Sequence, residues 1–177
     1  MPRIVVLRMG HRLKRDERMT THVALTARAL GADEVWVDRE DRKLEDRVTD
    51  VVARFGGPFH LRTGVSPRRA IRDWDGTVVH LTMYGKPLDE AILDVPRDRD
   101  LLVVVGSAKV PGDIFERADY NVAVGNQPHS EVGALAVFLD RYLEGEGLRR
   151  RFEGRLEVHP TARGKEVRTR APEDPPG

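Results

Sequence analysis

Six short runs rich in valine and other strand-forming residues alternate along the chain with segments of helical pattern, and this alternation constrains the fold most. The runs lack polar alternation, which is typical of strands buried on both faces of a sheet. The predicted strands are Arg3–Leu7, Glu34–Asp38, Phe59–Arg62, Thr77–Leu81, Leu101–Val105 and Tyr120–Val124. The predicted helices are Thr20–Leu30, Leu44–Phe55, Pro67–Trp74, Pro87–Leu93, Pro111–Arg117 and Ser130–Leu143. A βαβα order predicts an α/β fold with a mostly parallel sheet and helices on both faces.

Length and composition exclude several classes of protein. The 177 residues fit one domain, which we place at residues 1–168, followed by a Pro-rich tail at 169–177 predicted to be disordered. The absence of cysteine excludes disulfides and thiolate metal sites, and no HExxH or carboxylate cluster indicates a metal. No window approaches the roughly 18 apolar residues of a membrane span. We therefore expect a cytoplasmic protein without a membrane partner or a bound metal.

Charge is unevenly distributed although the net charge is only +1. Residues 1–18 hold six basic and two acidic side chains, and residues 149–170 hold eight basic and three acidic ones. Basic ends on an acidic middle indicate a polyanionic partner met by both termini. A charged surface suited to thermal stability explains the same pattern, and charge alone leaves both explanations open.

Three consecutive predicted strands end in loops of the same character, "TMYGKP", "GSAKVPG" and "GNQPHSE". Each loop has a glycine, small or polar residues, and then a proline. Ligands of parallel sheets bind beyond the carboxyl ends of the strands, and glycine lets the backbone approach a ligand closely. The three loops therefore predict a shared small-molecule site. None of them is a P-loop, and no strand precedes a GxGxxG motif.

A basic loop before the first helix and the apolar last helix can each be interpreted in two ways. A loop with Arg8, His11, Arg12, Lys14, Arg15 and Arg18 precedes a helix that we expect Thr20 or Thr21 to cap, which favours phosphate binding over a merely solvated loop with a satisfied histidine. The helix Ser130–Leu143 is apolar around most of its circumference. Its second apolar side predicts either a partner subunit, which we favour, or a basic C-terminal segment that folds back over it.

The segments "LRMGHRLKRDERMTTHVALTARALGAD", "VHLTMYG", "VVVGSAKVP" and "DYNVAVGNQPHSEVGALAVFLDR" resemble the archaeal tRNA cytidine-56 2′-O-methyltransferases, the Trm56 family. That family belongs to the SPOUT class of trefoil-knotted methyltransferases that use S-adenosylmethionine. The resemblance implies a deep knot at about residues 78–145, a basic C-terminal extension at about 148–168 and a homodimer. The implied reaction is methylation of the ribose 2′-oxygen of cytidine 56 in the tRNA T-loop.

The resemblance also implies the roles of individual residues. The methyl donor would be held by Leu81, Gly106, Ser107, Ala108, Lys109, Val110, Val124, Gly125, Asn126, Gln127, Pro128, His129, Ser130 and Glu131. The RNA backbone would be held by Arg8, Arg12, Lys14, Arg15, Arg149, Arg150, Arg151, Arg163 and Lys165, and Tyr84 or Trp74 would offer a surface on which a base can stack.

One position departs from the SPOUT pattern. Many ribose methyltransferases of the class place a catalytic arginine in the first helix, and an ungapped alignment puts Leu25 there. Arg18, aided by Arg12 or His22, is the candidate replacement, since Arg18 and His22 share the helical face of Leu25. Two other functions stay open: a knotted RNA-binding protein without turnover, and a methyltransferase with another target nucleotide.

Overall fold

The structure is a computed structural model that describes residues 1–106 and 109–171. The strands are β1 (Ile4–Arg8), β2 (Glu34–Val37), β3 (His60–Arg62), β4 (Thr77–Pro87), β5 (Leu101–Val105), β6 (Tyr120–Ala123), β7 (Leu156–His159) and β8 (Glu166–Thr169). The helices are α1 (Glu17–Ala29), α2 (Arg42–Phe55), α3 (Pro67–Arg72), α4 (Leu88–Ala91), α5 (Gly112–Arg117), α6 (Glu131–Tyr142) and α7 (Glu146–Arg149). None of these helices is long and apolar enough to cross a membrane.

The first six strands form one sheet in the order β3-β2-β1-β5-β4-β6, and every pairing in it is parallel. The predicted mostly parallel sheet is therefore confirmed. Strands β5, β4 and β6 are neighbours, so their carboxyl ends lie side by side as the three similar loops require. The trefoil knot stays a prediction from the resemblance.

Helices cover both faces of the sheet, as the βαβα order predicts. The larger apolar layer joins alternate residues of β1 and β5 to helices α1, α2, α4 and α6, with Val23, Leu44 and Phe138 among its buried members. The smaller layer on the other face packs Ile71 of α3 and Ile114 of α5 against the opposite side of the same strands. Successive residues of β1 and β5 point alternately into the two apolar layers. All side chains of β5 are therefore apolar, and so are those of β1 except its last residue, Arg8.

Helix α1 begins earlier than its predicted start. The residue before its first turn is Asp16, whereas Thr20 is fully buried and the Thr21 hydroxyl donates to the Glu17 carbonyl inside the helix. The prediction that Thr20 or Thr21 caps the helix is therefore wrong. The reason is that Asp16 anchors the preceding loop through Arg12, which lets the helix start at Glu17.

The C-terminal extension runs across the ends of α1 and α2 rather than over α6. Gly147 lies against the backbone of Leu30, and Phe152 packs on Gly57, where an added Cβ would come within 2.4 Å of the Phe152 ring. Strands β7 and β8 then form an antiparallel hairpin, which confirms the predicted late strand or hairpin. The prediction of a disordered tail from 169 is wrong at its first two residues, because Thr169 belongs to β8 and the amide of Arg170 donates to the carbonyl of Arg155. Residues 172–177 of that predicted tail lie outside the described residues.

Candidate functional site

A cavity of about 590 Å³ opens at the carboxyl ends of β4 and β5, beside the start of α6. Seven residues predicted to bind the methyl donor line it: Leu81, Gly106, Lys109, Val110, Pro128, His129 and Glu131. The other seven lining residues were not predicted to bind the donor: His80, Thr82, Met83, Tyr84, Val105, Phe115 and Ala134. Its size suits a cofactor, because ligand sites usually measure about 300–1,000 Å³.

One wall of the cavity is a bulge in β4, which the sequence reading missed because it ended this strand at Leu81. Leu81 and Lys86 both lie opposite Val122 of β6, so the residues between them loop out of the register. Gly85 approaches the backbone of Asn121 so closely that a Cβ would lie 2.5 Å from its carbonyl carbon. A glycine is therefore required where the bulge rejoins the strand.

The loop after β6 holds this bulge in place. The side-chain amide of Asn126 donates to the carbonyl of Met83 at 2.8 Å and to that of Gly85 at 3.1 Å. Gly125 has a φ of +80°, which a glycine adopts without strain. Asn126 thus supports the cavity wall, and the described lining includes none of the predicted site residues Val124, Gly125, Asn126 and Gln127.

The loop after β5 and the first turn of α6 form the opposite side. Gly106 lies so close to Val110 that a Cβ would meet the Val110 side chain at 2.1 Å. Ser107 and Ala108, both predicted to bind the donor, lie outside the described residues. Ser130 caps α6 by accepting from the amide of Val132 at 3.2 Å, and this cap directs Glu131 into the cavity lining.

His80 is a cavity residue with an incomplete set of hydrogen bonds. Its ring is fully buried, and Nδ1 lies 2.9 Å from the side-chain oxygen of Asn121. The amide of Asn121 in turn donates to the carbonyl of Phe115. The rings of Phe115 and His80 pack edge to face, with their centroids 4.8 Å apart. Burial lowers the pKa of His80, which the bond to Asn121 only partly offsets. No pattern in the sequence singles out this residue, apart from its place one position before Leu81.

Arg8 is placed differently from its predicted role. Its guanidinium is 2% exposed, donates to the carbonyl of Met9 at 3.1 Å and lies 3.9 Å from the carboxylate of Glu131. The prediction that Arg8 contacts the RNA backbone is therefore contradicted, because no phosphate reaches a side chain enclosed in this way. As the last residue of β1, Arg8 lies at the strand end, where it faces inward instead of into the basic loop.

The loop from Gly10 to Asp16 is tied to the sheet and to α2. The amides of Gly10 and His11 donate to the carboxylate of Asp38. The buried ring of His11 bridges the hydroxyl of Thr20, at 2.7 Å, and the carboxylate of Asp41, at 2.9 Å. The satisfied histidine that the sequence left open is thus present, and it holds the base of a loop whose cationic side chains point outward.

Arg12, one of the catalytic candidates, is engaged by Asp16. Its Nε lies 2.9 Å and its Nη2 3.3 Å from the two oxygens of that carboxylate. The hydrogen bond from Arg12 lowers the pKa of Asp16, and the charges of Arg12 and Arg8 act in the same direction. The positive charge of Arg12 is therefore already paired with a carboxylate of its own loop.

The other candidates line a shallow basic hollow of about 260 Å³ at the start of α1. It brings together Lys14, Arg15, Glu17, Arg18, Thr21, His22 and Arg47. Arg47 of α2, which the sequence reading did not single out, pairs with Glu17. This basic hollow and the donor cavity share no lining residue, so one chain does not bring Arg18 or His22 to the cavity wall.

The basic residues of the extension divide into two groups. Arg149 pairs with Glu146, and Arg150 donates to the carbonyl of Gly31 and lies 3.6 Å from Asp33. The contacts of Arg150 are at the amino edge of the sheet, opposite the cavity, and they fix the extension to the body of the protein, whereas the Arg149–Glu146 pair lies within α7. Arg151, Arg163 and Lys165 are exposed.

The two proposed stacking residues also differ. Trp74 packs edge to face on Trp36, with ring centroids 5.7 Å apart, and belongs to the smaller apolar layer. Tyr84 is 75% exposed at the tip of the β4 bulge. Of these two aromatic rings, only that of Tyr84 is open to a base.

Solved structures with a similar fold define the class of protein. The SpoU methyltransferase AviRb from Streptomyces viridochromogenes, in complex with the cofactor AdoMet, matches with a TM-score of 0.59 at 16% identity, over 81% of this chain and 58% of that one. A structure described as an RNA 2′-O ribose methyltransferase matches with a TM-score of 0.60 at 16% identity, over 82% and 58% of the two chains. The fold is that of the SPOUT methyltransferases.

Sequence comparison identifies the family. The family model described as tRNA ribose 2′-O-methyltransferase, aTrm56, matches residues 55–168. The tRNA (cytidine(56)-2′-O)-methyltransferase of Pyrococcus abyssi is 56% identical over 93% of this chain and 86% of its own length. That of Thermococcus kodakarensis is 54% identical over 93% and 96%. The chain belongs to the Trm56 family of tRNA ribose 2′-O-methyltransferases, as the resemblance predicted.

Proposed function

We propose that this protein transfers a methyl group from S-adenosylmethionine to the ribose 2′-oxygen of cytidine 56 in tRNA. The observation that carries the proposal is the 56% identity to an enzyme of that name over 93% of the chain. The loops that carry the resemblance are also the ones that enclose the cavity at the ends of β4, β5 and β6. Family membership and cavity therefore support the same function.

The cavity fits the methyl donor in two respects. Gly106 lines the cavity without a side chain, at a position where a Cβ would collide with Val110, and His80 offers a buried nitrogen without a partner among residues 1–106 and 109–171. The donor would be held by Leu81, residues 106–110 and residues 124–131. Some of these residues line the cavity, and others support its wall. The donor supplies an electrophilic methyl group, so the protein's tasks are positioning and proton handling.

Arg18 is the residue of this chain that we assign to the ribose hydroxyl. A ribose hydroxyl is a weak acid, and a permanently charged guanidinium stabilises the alkoxide that develops as its proton leaves. Arg18 is exposed in the basic hollow, whereas Arg12 is neutralised by Asp16. His22 lies in the same hollow and supports Arg18 rather than replacing it.

A homodimer would bring the basic hollow of one protomer near the donor cavity of its partner. Helix α6 lines the cavity through Glu131 and Ala134, and its outer side exposes Gly133 and Val137. The extension, which was the alternative cover for this side, packs on Gly56 and Gly57 instead. A partner on the outer side of α6 would therefore lie beside the cavity, which supports the dimer.

The tRNA backbone would be held by the exposed cations Lys14, Arg15, Arg151, Arg163 and Lys165. The exposed ring of Tyr84 would be available for stacking to a splayed base of the T-loop. Such contacts position the substrate and do not read its sequence. We place the reaction in the cytoplasm, since tRNA is the substrate and the chain has no cysteine that would call for an oxidising compartment.

Methyl transfer to an unmodified tRNA transcript tests this function. Purified protein is incubated with the transcript and S-adenosylmethionine labelled in its methyl group, and the label in RNA is counted. We expect incorporation to approach one methyl group per tRNA. Tight tRNA binding without incorporation would contradict the proposal and support the non-catalytic alternative.

A further inference from the structure

His80 is a buried residue of the cavity lining whose hydrogen bonds with the described residues are incomplete. The residue is fully buried, and its Nε2 has no partner among residues 1–106 and 109–171. A buried polar atom without a partner costs about 1–3 kcal/mol. Because His80 lines the cavity, a ligand there can supply the hydrogen bond that the described residues do not.

The neighbours of His80 fix which nitrogen carries the proton. The amide of Asn121 donates to the carbonyl of Phe115, so its oxygen faces Nδ1 of His80 and must accept. Nδ1 therefore carries the hydrogen, and Nε2 of the neutral ring is a bare acceptor. Burial lowers the pKa of His80, which keeps the ring neutral near pH 7. The ring of this lining residue thus has one nitrogen, Nε2, that can only accept a hydrogen bond.

The surroundings of the ring indicate what kind of donor it meets. Val105, Val110 and Phe115 are among the apolar residues that line the cavity, and the ring of Phe115 contacts the ring of His80 directly. The carboxylate of Glu131, which also lines the cavity, already faces the guanidinium of Arg8 at 3.9 Å. A charged ammonium group beside the His80 ring would lose its hydration against the apolar side chains there, whereas an uncharged N–H or O–H would lose little. In the methyl donor, the uncharged donors are the exocyclic amine of adenine and the ribose hydroxyls.

We propose that Nε2 of His80 accepts a hydrogen bond from the adenosine part of the methyl donor, from its exocyclic amine or one of its ribose hydroxyls. His80 is then a specificity-determining residue for the donor, beyond the residues that the family resemblance implied. The inference rests on the proposed function, since it presumes that the cavity takes an adenosine-containing ligand.

Calorimetric binding of S-adenosyl-L-homocysteine tests it without turnover. We expect His80→Phe, which keeps a ring of similar size beside Phe115, to bind about tenfold more weakly. His60→Phe, an exposed histidine at the far edge of the sheet, should bind as the wild type does. Equal affinities of His80→Phe and the wild type would overturn the inference. Failure of the wild type to bind would instead overturn the proposed function.

Ligand analogues identify the recognised group. S-inosyl-L-homocysteine has an oxygen in place of the exocyclic amine, and the 2′-deoxy and 3′-deoxy forms of S-adenosyl-L-homocysteine each lack one hydroxyl. The analogue without the recognised group should bind the wild type and His80→Phe equally. If His80→Phe weakens all three analogues by the same factor as the parent ligand, the residue acts through structure and the inference is overturned.

A measurement on the wild type covers the case in which His80→Phe folds poorly. In protein labelled with ¹⁵N-histidine, Nε2 of His80 should resonate as an unprotonated nitrogen and move upfield when S-adenosyl-L-homocysteine binds and donates to it. An Nε2 resonance that stays in place at saturation would overturn the inference.

Discussion

The guanidinium of Arg8 lies 3.9 Å from the carboxylate of Glu131 and joins the end of β1 to the first turn of α6. The pair is unequal, because Arg8 is 2% exposed and Glu131 is 31% exposed. Nε of Arg8 also has no partner in the described part of the chain. Removal of the carboxylate and removal of the guanidinium should therefore change the free energy of unfolding by different amounts.

Glu131→Gln should lower the free energy of unfolding by about 1–2 kcal/mol, because it leaves the buried guanidinium with less counter-charge. Arg8→Met should stay within about 1 kcal/mol of the wild type, because it removes the buried charge and its unpartnered nitrogen together. Urea denaturation of both variants measures the difference. A larger loss for Arg8→Met than for Glu131→Gln would show that the guanidinium itself stabilises the fold.

Arg18→Ala should lower the single-turnover methylation rate about a hundredfold, as the loss of a group that stabilises developing negative charge usually does. Its affinity for S-adenosyl-L-homocysteine should not change, since Arg18 does not line the cavity. Arg12→Ala should have a smaller effect, because Asp16 already neutralises Arg12. Arg99→Ala, an exposed arginine at the amino edge of the sheet, is the control. A near wild-type rate for Arg18→Ala would remove the residue from the reaction.

Val137→Asp should convert a dimer into a monomer of 20.0 kDa, because it places a carboxylate on the exposed side of α6. Val167→Asp is the matched control: Val167 is 44% exposed, close to the 43% of Val137, but lies in β8 of the C-terminal hairpin, and the variant should keep the mass of the wild type. Light scattering in dilute buffer measures both. A wild type of monomer mass would contradict the dimer.

Stability should fall on acidification partly through His80. Burial lowers its folded pKa below the ordinary value of about 6.5, so the unfolded chain binds the proton more readily just below that pH. This contribution is present above the unfolded pKa and is lost as pH falls toward the folded pKa, with a slope of up to about 1.4 kcal/mol per pH unit. His80→Phe should show a shallower decline between pH 6.5 and 5 than His60→Phe does. Parallel curves would contradict the lowered pKa.

The alternation of Val-rich runs and helical segments was enough to predict the sheet. Strands such as β5 are apolar on both faces, and such strands occur in parallel sheets that helices cover on both sides. The order of the strands was not readable from the same pattern. It depends on contacts far apart in the chain, such as Leu81 opposite Val122. The adjacency of the three loops was inferred from their similarity, and the structure confirms it.

Single side chains set the limit of prediction at the site. Arg8 and Arg18 look alike in a basic segment, yet one ends a buried strand and the other lies on an exposed helical face. His80 was invisible because its importance comes from Asn121 and Phe115, which are about 40 residues away along the chain. The family resemblance added the ligand and the substrate, which no spacing of residues could provide.

Mapping the methylated nucleotide tests the central claim most directly. One tRNA transcript carries cytidine at position 56, and a second, otherwise identical tRNA carries 2′-deoxycytidine there. After reaction with S-adenosylmethionine, mass spectrometry of nuclease fragments should find one 2′-O-methyl group at position 56 of the first tRNA and none in the second. Methylation of the deoxy-substituted tRNA, or at another nucleotide of the first, would contradict the account.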